Sequence, residues 1–342
     1  LWPLSALHTS LLAICLLLTS SLDAAWSSTT ELPENLKSHT ATLLNDGRVL
    51  VTGGFSNPKG GTTSGSPASA KSRIFNSNND TWELVGSLHN ARQGHTATLL
   101  DDGRVFVTGG SSIYLSRGDV RIAEMFDPVT NLFTEIAQMP LPVSHHTATK
   151  LGDGKILIIG GFDDGGSSNY VQIYNPLENV WTIANPLLKQ RYNHTANLLP
   201  DGSILVVGGG AAEVEVYDPA SQSSSIVGNL AENRMGHSAV ADANGSIVIA
   251  GGYSASAAQK IELFTVHSGV TDTGLTIPSN VYSYSYMTLL PNGKFLFLND
   301  TGTGCYFINL AEGNVEAGPS VIQRRDKINA LVLSDGTIMS IG

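Results

Sequence analysis

The chain repeats one short motif seven times along its length. Each copy has a segment of small residues, an Asp-Gly or Asn-Gly turn and an aliphatic run, and the first five copies end in a pair of glycines. The turn glycines lie 43 to 56 residues apart and are Gly47, Gly103, Gly154, Gly202, Gly245, Gly293 and Gly336. A period of this length is typical of one supersecondary unit per repeat, stacked or arranged radially.

The five best-preserved copies begin with a histidine as well as ending in Gly-Gly. They run from His39 to Gly54, His95 to Gly110, His146 to Gly161, His194 to Gly209 and His237 to Gly252. The sixth copy has Ser285 in place of the histidine, and the seventh has Ile328. Because the sequence ends at Gly342, the first glycine position of the seventh pair, we expect the chain to be truncated at its C-terminus.

Each repeat is predicted to be a four-stranded antiparallel sheet. An Asp-Gly or Asn-Gly turn between short aliphatic runs predicts a β-hairpin with a type I′ turn, which needs positive φ at both central residues. A third strand ends in an aromatic residue and a turn, and a fourth strand carries a second aromatic. These aromatics are seven residues apart in the pairs Phe75 and Trp82, Phe126 and Phe133, and Tyr174 and Trp181.

A radial arrangement buries both faces of such sheets and leaves only short edges. The small first strands, such as Thr40-Ala41-Thr42, suit a crowded position beside a central axis. The sequence therefore predicts an all-β, seven-bladed β-propeller with four-stranded blades starting near residues 37, 93, 144, 192, 235, 283 and 326. An open solenoid is the alternative.

The spacing of one tryptophan predicts how the ring closes. Trp26 precedes His39 by 13 residues, the same interval that separates Trp82 from His95. Segment 26–36 is therefore predicted to be the fourth strand of the last blade, whose own segment supplies the inner strands but no outer ones. Its third strand is expected beyond Gly342. Closure by the N-terminal strand would remove an exposed sheet edge.

Composition and the first residues indicate compartment and partner class. The net charge is −10 and no cluster of Lys or Arg occurs, which disfavours nucleic-acid binding. Residues 1–25 resemble a signal peptide, because their apolar run Leu11–Leu18 is too short to span a membrane. We expect a leader at 1–25, a propeller at 26–342, no membrane span after leader removal, and a secreted, extracellular or periplasmic protein.

The Gly pair after an apolar strand, the aromatic before a turn and the outer-strand tryptophan resemble the Kelch repeat. The resemblance covers residues 26–342, and the form His-Thr-Ala-Thr-Leu-Leu-x-Asp-Gly-Arg is similar to secreted microbial Kelch proteins, including the propeller domain of the galactose oxidase group. It implies a Kelch-type propeller with a ligand face formed by the loops entering the inner strands and the loops after the Gly pairs.

An arginine recurs 11 residues before the turn glycine in four repeats, a position that the resemblance places on the ligand face. These arginines are Arg92, Arg191, Arg234 and Arg325. A partial ring of guanidinium groups around the channel mouth would bind carboxylates or sugar oxygens. The alternative is a structural role for each arginine, with hydrogen bonds to loop carbonyls.

The repeated histidines invite a metal hypothesis, but repeat-wide identity favours packing, and no metal or cofactor is predicted. His145 lies outside the repeat pattern and is the better functional candidate. In the loops after the Gly pairs, Tyr114 is a further ligand-binding candidate. The adjacent Asp163 and Asp164 could bind a cation, or could form a solvated turn.

Two function classes stay open. A copper oxidase like galactose oxidase would need a cysteine early in the propeller, whereas Cys305 lies late, and no Tyr-His pair occurs. A sialic-acid epimerase-like enzyme could use the arginines for a sugar carboxylate, but no local motif selects it. The sequence favours a non-catalytic binding or scaffold module that recognises a protein or carbohydrate ligand on its loop face.

Overall fold

The structure is a computed structural model of the 342-residue chain. It describes residues 13–16, 25–30, 32–33, 36–56, 67–113, 120–254, 259–278, 284–299, 304–319, 329–333 and 335–341. Within these ranges the regular structure is built from β-strands, and no helix has the length and apolar character needed to cross a membrane.

The strands follow one another in the order that the repeats predict. The chain begins with β1 (Ala13–Leu16), β2 (Ala25–Ser28) and β3 (Leu36–Lys37). Blade 1 contains β4 (Thr40–Leu43), β5 (Val49–Thr52), β7 (Ser72–Asn76) and β8 (Thr81–Leu84), and the short β6 (Phe55–Ser56) between β5 and β7 pairs with β3. Blade 2 contains β9 (Thr96–Leu99), β10 (Val105–Thr108), β11 (Glu124–Asp127) and β12 (Leu132–Glu135). Blade 3 contains β13 (Thr147–Lys150), β14 (Ile156–Ile159), β17 (Val171–Asn175) and β18 (Val180–Ala184), and β15 (Phe162–Asp163) and β16 (Gly166–Ser167) form a separate small hairpin between β14 and β17.

The second half continues the pattern. Blade 4 contains β19 (Thr195–Leu198), β20 (Ile204–Val207), β21 (Glu213–Asp218) and β22 (Ser223–Asn229). Blade 5 contains β23 (Ser238–Ala241), β24 (Ile247–Ala250), β25 (Lys260–Thr265) and β26 (Gly269–Thr276). Blade 6 contains β27 (Ser285–Leu289), β28 (Phe295–Asn299), β29 (Cys305–Asn309) and β30 (Asn314–Ala317), and the last hairpin is β31 (Asn329–Val332) and β32 (Ile338–Ile341).

The chain is an all-β propeller with six blades of the predicted construction, not seven. Each of the six is a four-stranded antiparallel sheet formed by one continuous segment, with the strands in sequence order. The innermost strands β4, β9, β13, β19, β23 and β27 contact one another in turn. The predicted four-stranded antiparallel blade is confirmed.

The remaining four-stranded sheet joins the two ends of the chain, with strand order β2-β1-β32-β31. We call it the composite sheet. Its outermost strand, β2, contains Trp26, so the predicted outer strand occurs, but over Ala25–Ser28 rather than over 26–36. The third strand was expected beyond Gly342, and that expectation was wrong. It is β1, which pairs with β32 and comes from the predicted leader.

The hydrophobic core is divided into layers between adjacent sheets. Between blades 1 and 2, for example, Leu50 and Ile74 pack with Val105 and Phe126. The last hairpin has such a layer on both sides. Its Ala330 and Ile338 pack against blade 6, and its Met339 and Ile341 pack against blade 1.

The inner hairpins form as predicted, but with a different turn. Gly47 has φ of 83°, and its N–H donates to Leu44 O at 3.0 Å. Asp46 is not in the left-handed region. Its Oδ1 instead accepts the Arg48 N–H at 3.0 Å. The turn is therefore type I followed by a left-handed glycine, which is the common three-residue hairpin, and not type I′.

Candidate binding site at the channel mouth

A cavity of about 260 Å³ lies where the inner strands begin. Its described lining includes the five repeated histidines, which we call the ring histidines, and residues just before the inner strands. The ring histidines are His39, His95, His146, His194 and His237. The lining residues are Ser38, His39, Gly94, His95, His145, His146, Asn193, His194, Gly236, His237, Tyr284 and Ser285. None of these described residues is Asp, Glu, Lys or Arg, so the mouth is uncharged apart from any histidine that takes up a proton.

The described rim of this cavity is an arc of backbone hydrogen bonds that links blades 1 to 6 in succession. The donor and acceptor pairs are Gly94 N to Ser38 O (3.2 Å), His145 N to Gly94 O (2.7 Å), Asn193 N to His145 O (3.0 Å), Gly236 N to Asn193 O (2.8 Å) and Ser285 N to Gly236 O (2.9 Å). The rim residues Ser38, Gly94, His145, Asn193 and Gly236 all have positive φ. Because each blade fixes the next, the mouth is a rigid frame.

Two half-buried side chains project over this frame. The imidazole of His145 lies against Gly94, and the ring of Tyr284 lies against Gly236. A Cβ atom at Gly94 would lie within 3.0 Å of three His145 ring atoms, so the glycine provides the space that this ring occupies. The structure therefore places His145, the histidine outside the repeat pattern, in the lining of the mouth, and its role in ligand binding stays a prediction.

Aromatic side chains flank the mouth on the same face. Phe162 follows the Gly pair of blade 3, and its ring meets that of Tyr192 with centroids 5.5 Å apart. Tyr253 follows the Gly pair of blade 5 and is 58% exposed. These residues were not predicted from the sequence as site residues, although each lies beside a Gly pair or two residues before a ring histidine.

Four of the five ring histidines join adjacent blades through threonines of the inner strands. The contacts are His95 Nε2 to Thr40 Oγ1 (3.1 Å), His146 Nε2 to Thr96 Oγ1 (2.9 Å), His194 Nε2 to Thr147 Oγ1 (3.0 Å) and His237 Nε2 to Thr195 Oγ1 (3.0 Å). Each histidine thus binds the blade before its own. This repeated contact supports packing over metal binding.

Burial keeps these imidazoles neutral. It lowers the pKa of His39 and His146 to about 4 and that of His194 to about 3. It also lowers the pKa of His95 and His237 well below the ordinary value, with further lowering by neighbouring charged groups. Within the described ranges, no group of three or more His, Cys, Asp or Glu residues is arranged to hold a metal ion.

Three of the four arginines predicted to line the mouth are internal. Arg92, Arg191 and Arg234 are at most 1% exposed, and each is paired with a buried glutamate of the third strand of its own blade. The pairs are Arg92 with Glu124 (2.5 Å), Arg191 with Glu215 (2.8 Å) and Arg234 with Glu262 (2.6 Å). Each guanidinium also donates to the carbonyl of the first glycine of its Gly pair. The ligand-facing prediction is corrected for these three residues, because solvent does not reach them.

These glutamates were not predicted from the sequence, although a signal exists. Glu124, Glu215 and Glu262 lie two residues before the third-strand aromatic, in the three blades that contain the arginine. In blade 3 the two positions are Val143 and Gln172, so both charges are replaced together.

The other predicted site residues do not line the cavity or do not belong to the residues that the structure describes. Asp163 ends β15 and Asp164 begins the turn to β16, where Asp163 Oδ1 accepts the Gly165 N–H at 2.7 Å. Asp164 is exposed, and the pair matches the solvated-turn alternative. Tyr114 and Arg325 lie outside the described residues.

Comparison with known proteins supports the repeat assignment. The family model described as the KLHDC2/KLHL20/DRC7 Kelch-repeats domain matches residues 38–223. Spermatocyte protein spe-26 of Caenorhabditis elegans is 27% identical over 141 residues, which are 41% of this chain and 23% of that protein. Kelch-like protein 35 of Mus musculus is 28% identical over 148 residues, which are 43% of this chain and 23% of that protein. The matched region thus spans about a quarter of these relatives.

Solved structures of low sequence identity share the fold. A fungal alcohol oxidase of the AA5 family, in complex with copper, superposes with a TM-score of 0.73 at 21% identity and covers 92% of this chain and 71% of that chain. YjhT superposes with a TM-score of 0.59 at 17% identity and covers 74% of this chain and 89% of that chain. Because the Kelch-repeats model matches more than half of the sequence, the chain belongs to the Kelch-repeat family.

Proposed function

We propose that the chain is a non-catalytic binding module that recognises a protein partner through the face around the channel mouth. The observation that carries the proposal is the composition of this face. The described mouth has no formally charged side chain other than histidine, and the aromatic residues Phe162, Tyr192 and Tyr253 flank it. Aromatic enrichment and depletion of charge are typical of the cores of protein interfaces. The Kelch relatives are consistent with this function.

Rigidity also supports recognition by this face. The rim residues are fixed by hydrogen bonds between blades, so the side chains of His145 and Tyr284 are held in place before a partner binds. Such preorganisation reduces the entropy lost on association. The arginines take no direct part in this proposal, because they are buried in ion pairs.

Site-specific photo-cross-linking tests the proposal. A benzophenone amino acid is placed at Tyr253 on the mouth face and, as a matched control, at Leu84, which is 59% exposed on the outer strand of blade 1. We expect one polypeptide to be cross-linked from position 253 and lost when His145→Ala is added, with none from position 84. Equal adducts from both positions would contradict the proposal. A glycan that binds in an array and is lost with His145→Ala would indicate the carbohydrate alternative.

Metal analysis tests the enzymatic alternatives. The oxidase neighbour shows the fold alone, because its identity to this chain is 21%. We expect no copper in excess of a chelator-treated control, and no oxidase or epimerase turnover. Bound copper, or turnover that His145→Ala abolishes, would replace the binding-module proposal with an enzyme.

We further propose that the composite sheet fills a seventh position and closes the ring. The support is a repeated contact at the outer edge of the propeller. Trp82 of blade 1 donates from Nε1 to Thr30 O, just after β2, at 3.0 Å. Trp181 of blade 3 donates in the same way to Ala137 O, just after β12, at 2.8 Å. The strand β2 is thus related to blade 1 as the outer strand of blade 2 is related to blade 3.

Secretion is also proposed, on the evidence of the apolar run Leu11–Leu18 within residues 1–25. Cleavage of this leader would remove β1, Ala13–Leu16, from the composite sheet, so the two proposals assign the same residues differently. N-terminal sequencing of protein recovered from the culture medium separates the two. A chain that begins near Trp26 supports a cleaved leader, and a chain that retains β1 supports the composite sheet.

A further inference from the structure

A second cavity, of about 510 Å³, lies between blades 4 and 5 at the end of the inner strands opposite the channel mouth. Its walls are Leu199, Val216 and Val227 of blade 4 and Phe264 of blade 5. Polar side chains of the turns border its opening, among them Ser203 and His267. We call this cavity the blade 4–5 cleft.

The corresponding cleft between blades 2 and 3 shows what the repeat architecture places there. Leu100, Met125, Ile136 and Tyr174 occupy the equivalent wall positions, and the indole of Trp181 packs among them. The Trp181 ring is 5.0 Å from the Tyr174 ring, and its Nε1 donates to Ala137 O. The tryptophan therefore fills the cleft with an apolar ring and satisfies its one polar atom.

Blade 5 lacks this ring. Tyr174 pairs across the sheet with Trp181, whereas Phe264 pairs with Val270, so valine occupies the tryptophan position. In the second strand, Leu205 of blade 4 occupies the position of Phe106 of blade 2. The ring of Phe106 stacks on that of Tyr174 with centroids 4.7 Å apart. The turn residue also shrinks, from Arg104 to Ser203. Ser203 lines the blade 4–5 cleft, and Leu205 and Val270 pack in the same hydrophobic cluster as its apolar walls.

We propose that the blade 4–5 cleft binds a small, neutral, planar aromatic molecule of indole size or slightly larger. Its volume lies within the range of small-ligand pockets, which are mostly apolar with a few polar groups. The indole of Trp181 defines the shape and chemistry that these walls accept. Asp201 and Ser203 at the opening supply oxygens for an N–H donor on the ligand.

The probe is indole, titrated into the full chain by isothermal calorimetry. We expect one site per chain. Val270→Trp fills the cleft with the side chain found in blade 3, and we expect it to weaken binding at least tenfold and to raise the melting temperature. Ser203→Arg places an arginine where blade 2 has Arg104. We expect this variant also to weaken indole binding, so it tests the proposal if Val270→Trp does not fold.

Trp181→Val is the matched control, because it should open a second cleft between blades 2 and 3 and raise the stoichiometry to two. His145→Ala should leave indole binding unchanged, because His145 lies at the channel mouth. A negative result for the cleft can therefore be told apart from a negative result for partner binding at the mouth. Absence of binding at millimolar indole, or unchanged binding by both cleft-filling variants, would overturn the proposal. Tighter binding of the peptide Gly-Trp-Gly than of indole would also overturn it, by assigning the cleft to a partner's side chain.

Discussion

At the scale of single residues, the Gly pairs and the ring histidines explain each other. A Cβ atom on Gly109 would lie 2.4 Å from both His146 Cε1 of the next blade and Val143 O. A Cβ atom on Gly110 would lie 2.9 Å from the Cβ of His95 in its own blade. The Gly pairs of blades 1 to 4 are thus each enclosed by two histidines, and that of blade 5 is enclosed by Ser285 and His237. This packing requirement accounts for the joint repetition of the glycines and histidines.

Substitution of Gly109 by alanine tests this contact. Gly109 has φ of 65°, so alanine would add backbone strain as well as the collision with His146. We expect Gly109→Ala to cost roughly 3–5 kcal/mol of unfolding free energy. The control is Gly154→Ala, whose φ is 82° but whose Cβ would meet no atom within 4 Å, and which should cost about 1–2 kcal/mol. Equal losses in urea unfolding would contradict the packing explanation.

The buried histidines also predict how stability depends on pH. Their pKa values are lowered from 6.5 in the folded chain, to about 4 for His39 and His146, so between these values the unfolded chain binds protons that the folded chain does not. The free energy of unfolding should therefore be level just above pH 6.5 and fall as the pH drops toward 4. Each histidine contributes up to about 1.4 kcal/mol per pH unit.

Urea unfolding at pH 7, 6 and 5 measures this slope. We expect His146→Asn to reduce proton uptake on unfolding at pH 5 by about one proton. His267→Asn is the control, because His267 is exposed in the β25–β26 turn, and it should leave the slope unchanged. If both variants gave the wild-type slope, the ring histidines would not be the source.

At the scale of elements, the buried ion pairs tie the segment before each inner strand to the third strand of the same blade. Glu215 accepts the Leu188 and Lys189 N–H groups as well as pairing with Arg191. The pair therefore orients the loop that leads to the channel mouth. Blade 3 achieves the same connection without charge, since Gln172 exchanges two hydrogen bonds with the backbone of Leu141.

A double-mutant cycle tests this account of Arg191 and Glu215. Either single change, Arg191→Val or Glu215→Gln, leaves an unpaired buried charge and should cost about 3–5 kcal/mol. The double variant reproduces the Val143 and Gln172 combination of blade 3, so it should cost clearly less than the sum of the two singles. Additive losses in urea unfolding would mean that the two side chains act independently.

Blade construction was predictable from the sequence because its signals are local. The Asp-Gly and Asn-Gly turns predict the inner hairpins of all six blades, the Gly pairs mark five of them and the aromatic pairs seven residues apart mark three, although the turn is type I with a left-handed glycine. The direction of side chains was harder to predict. The repeat position of Arg191 gives its angle around the axis, but its burial depends on Glu215, 24 residues later in the chain. His145 stands out in the sequence because it breaks the repeat, and its ligand-binding role stays a prediction.

At the scale of the whole molecule, the last hairpin and the first strands form one sheet that packs between blade 6 and blade 1. Asn329 Nδ2 donates to His39 O at 3.1 Å, across the junction with blade 1. The sequence predicted an N-terminal outer strand from the position of Trp26. It did not predict β1, because an apolar run of this length also matches a signal peptide.

Hydrogen exchange of the full chain, followed by mass spectrometry, tests ring closure most directly. The reference is β20, Ile204–Val207, a second strand in the middle of a complete blade. In the closed ring β32, Ile338–Ile341, is likewise paired on both sides, by β1 and β31. We predict protection of residues 338–341 similar to that of 204–207. Exchange of 338–341 at the rate of an unstructured peptide, with 204–207 still protected, would contradict closure of the ring.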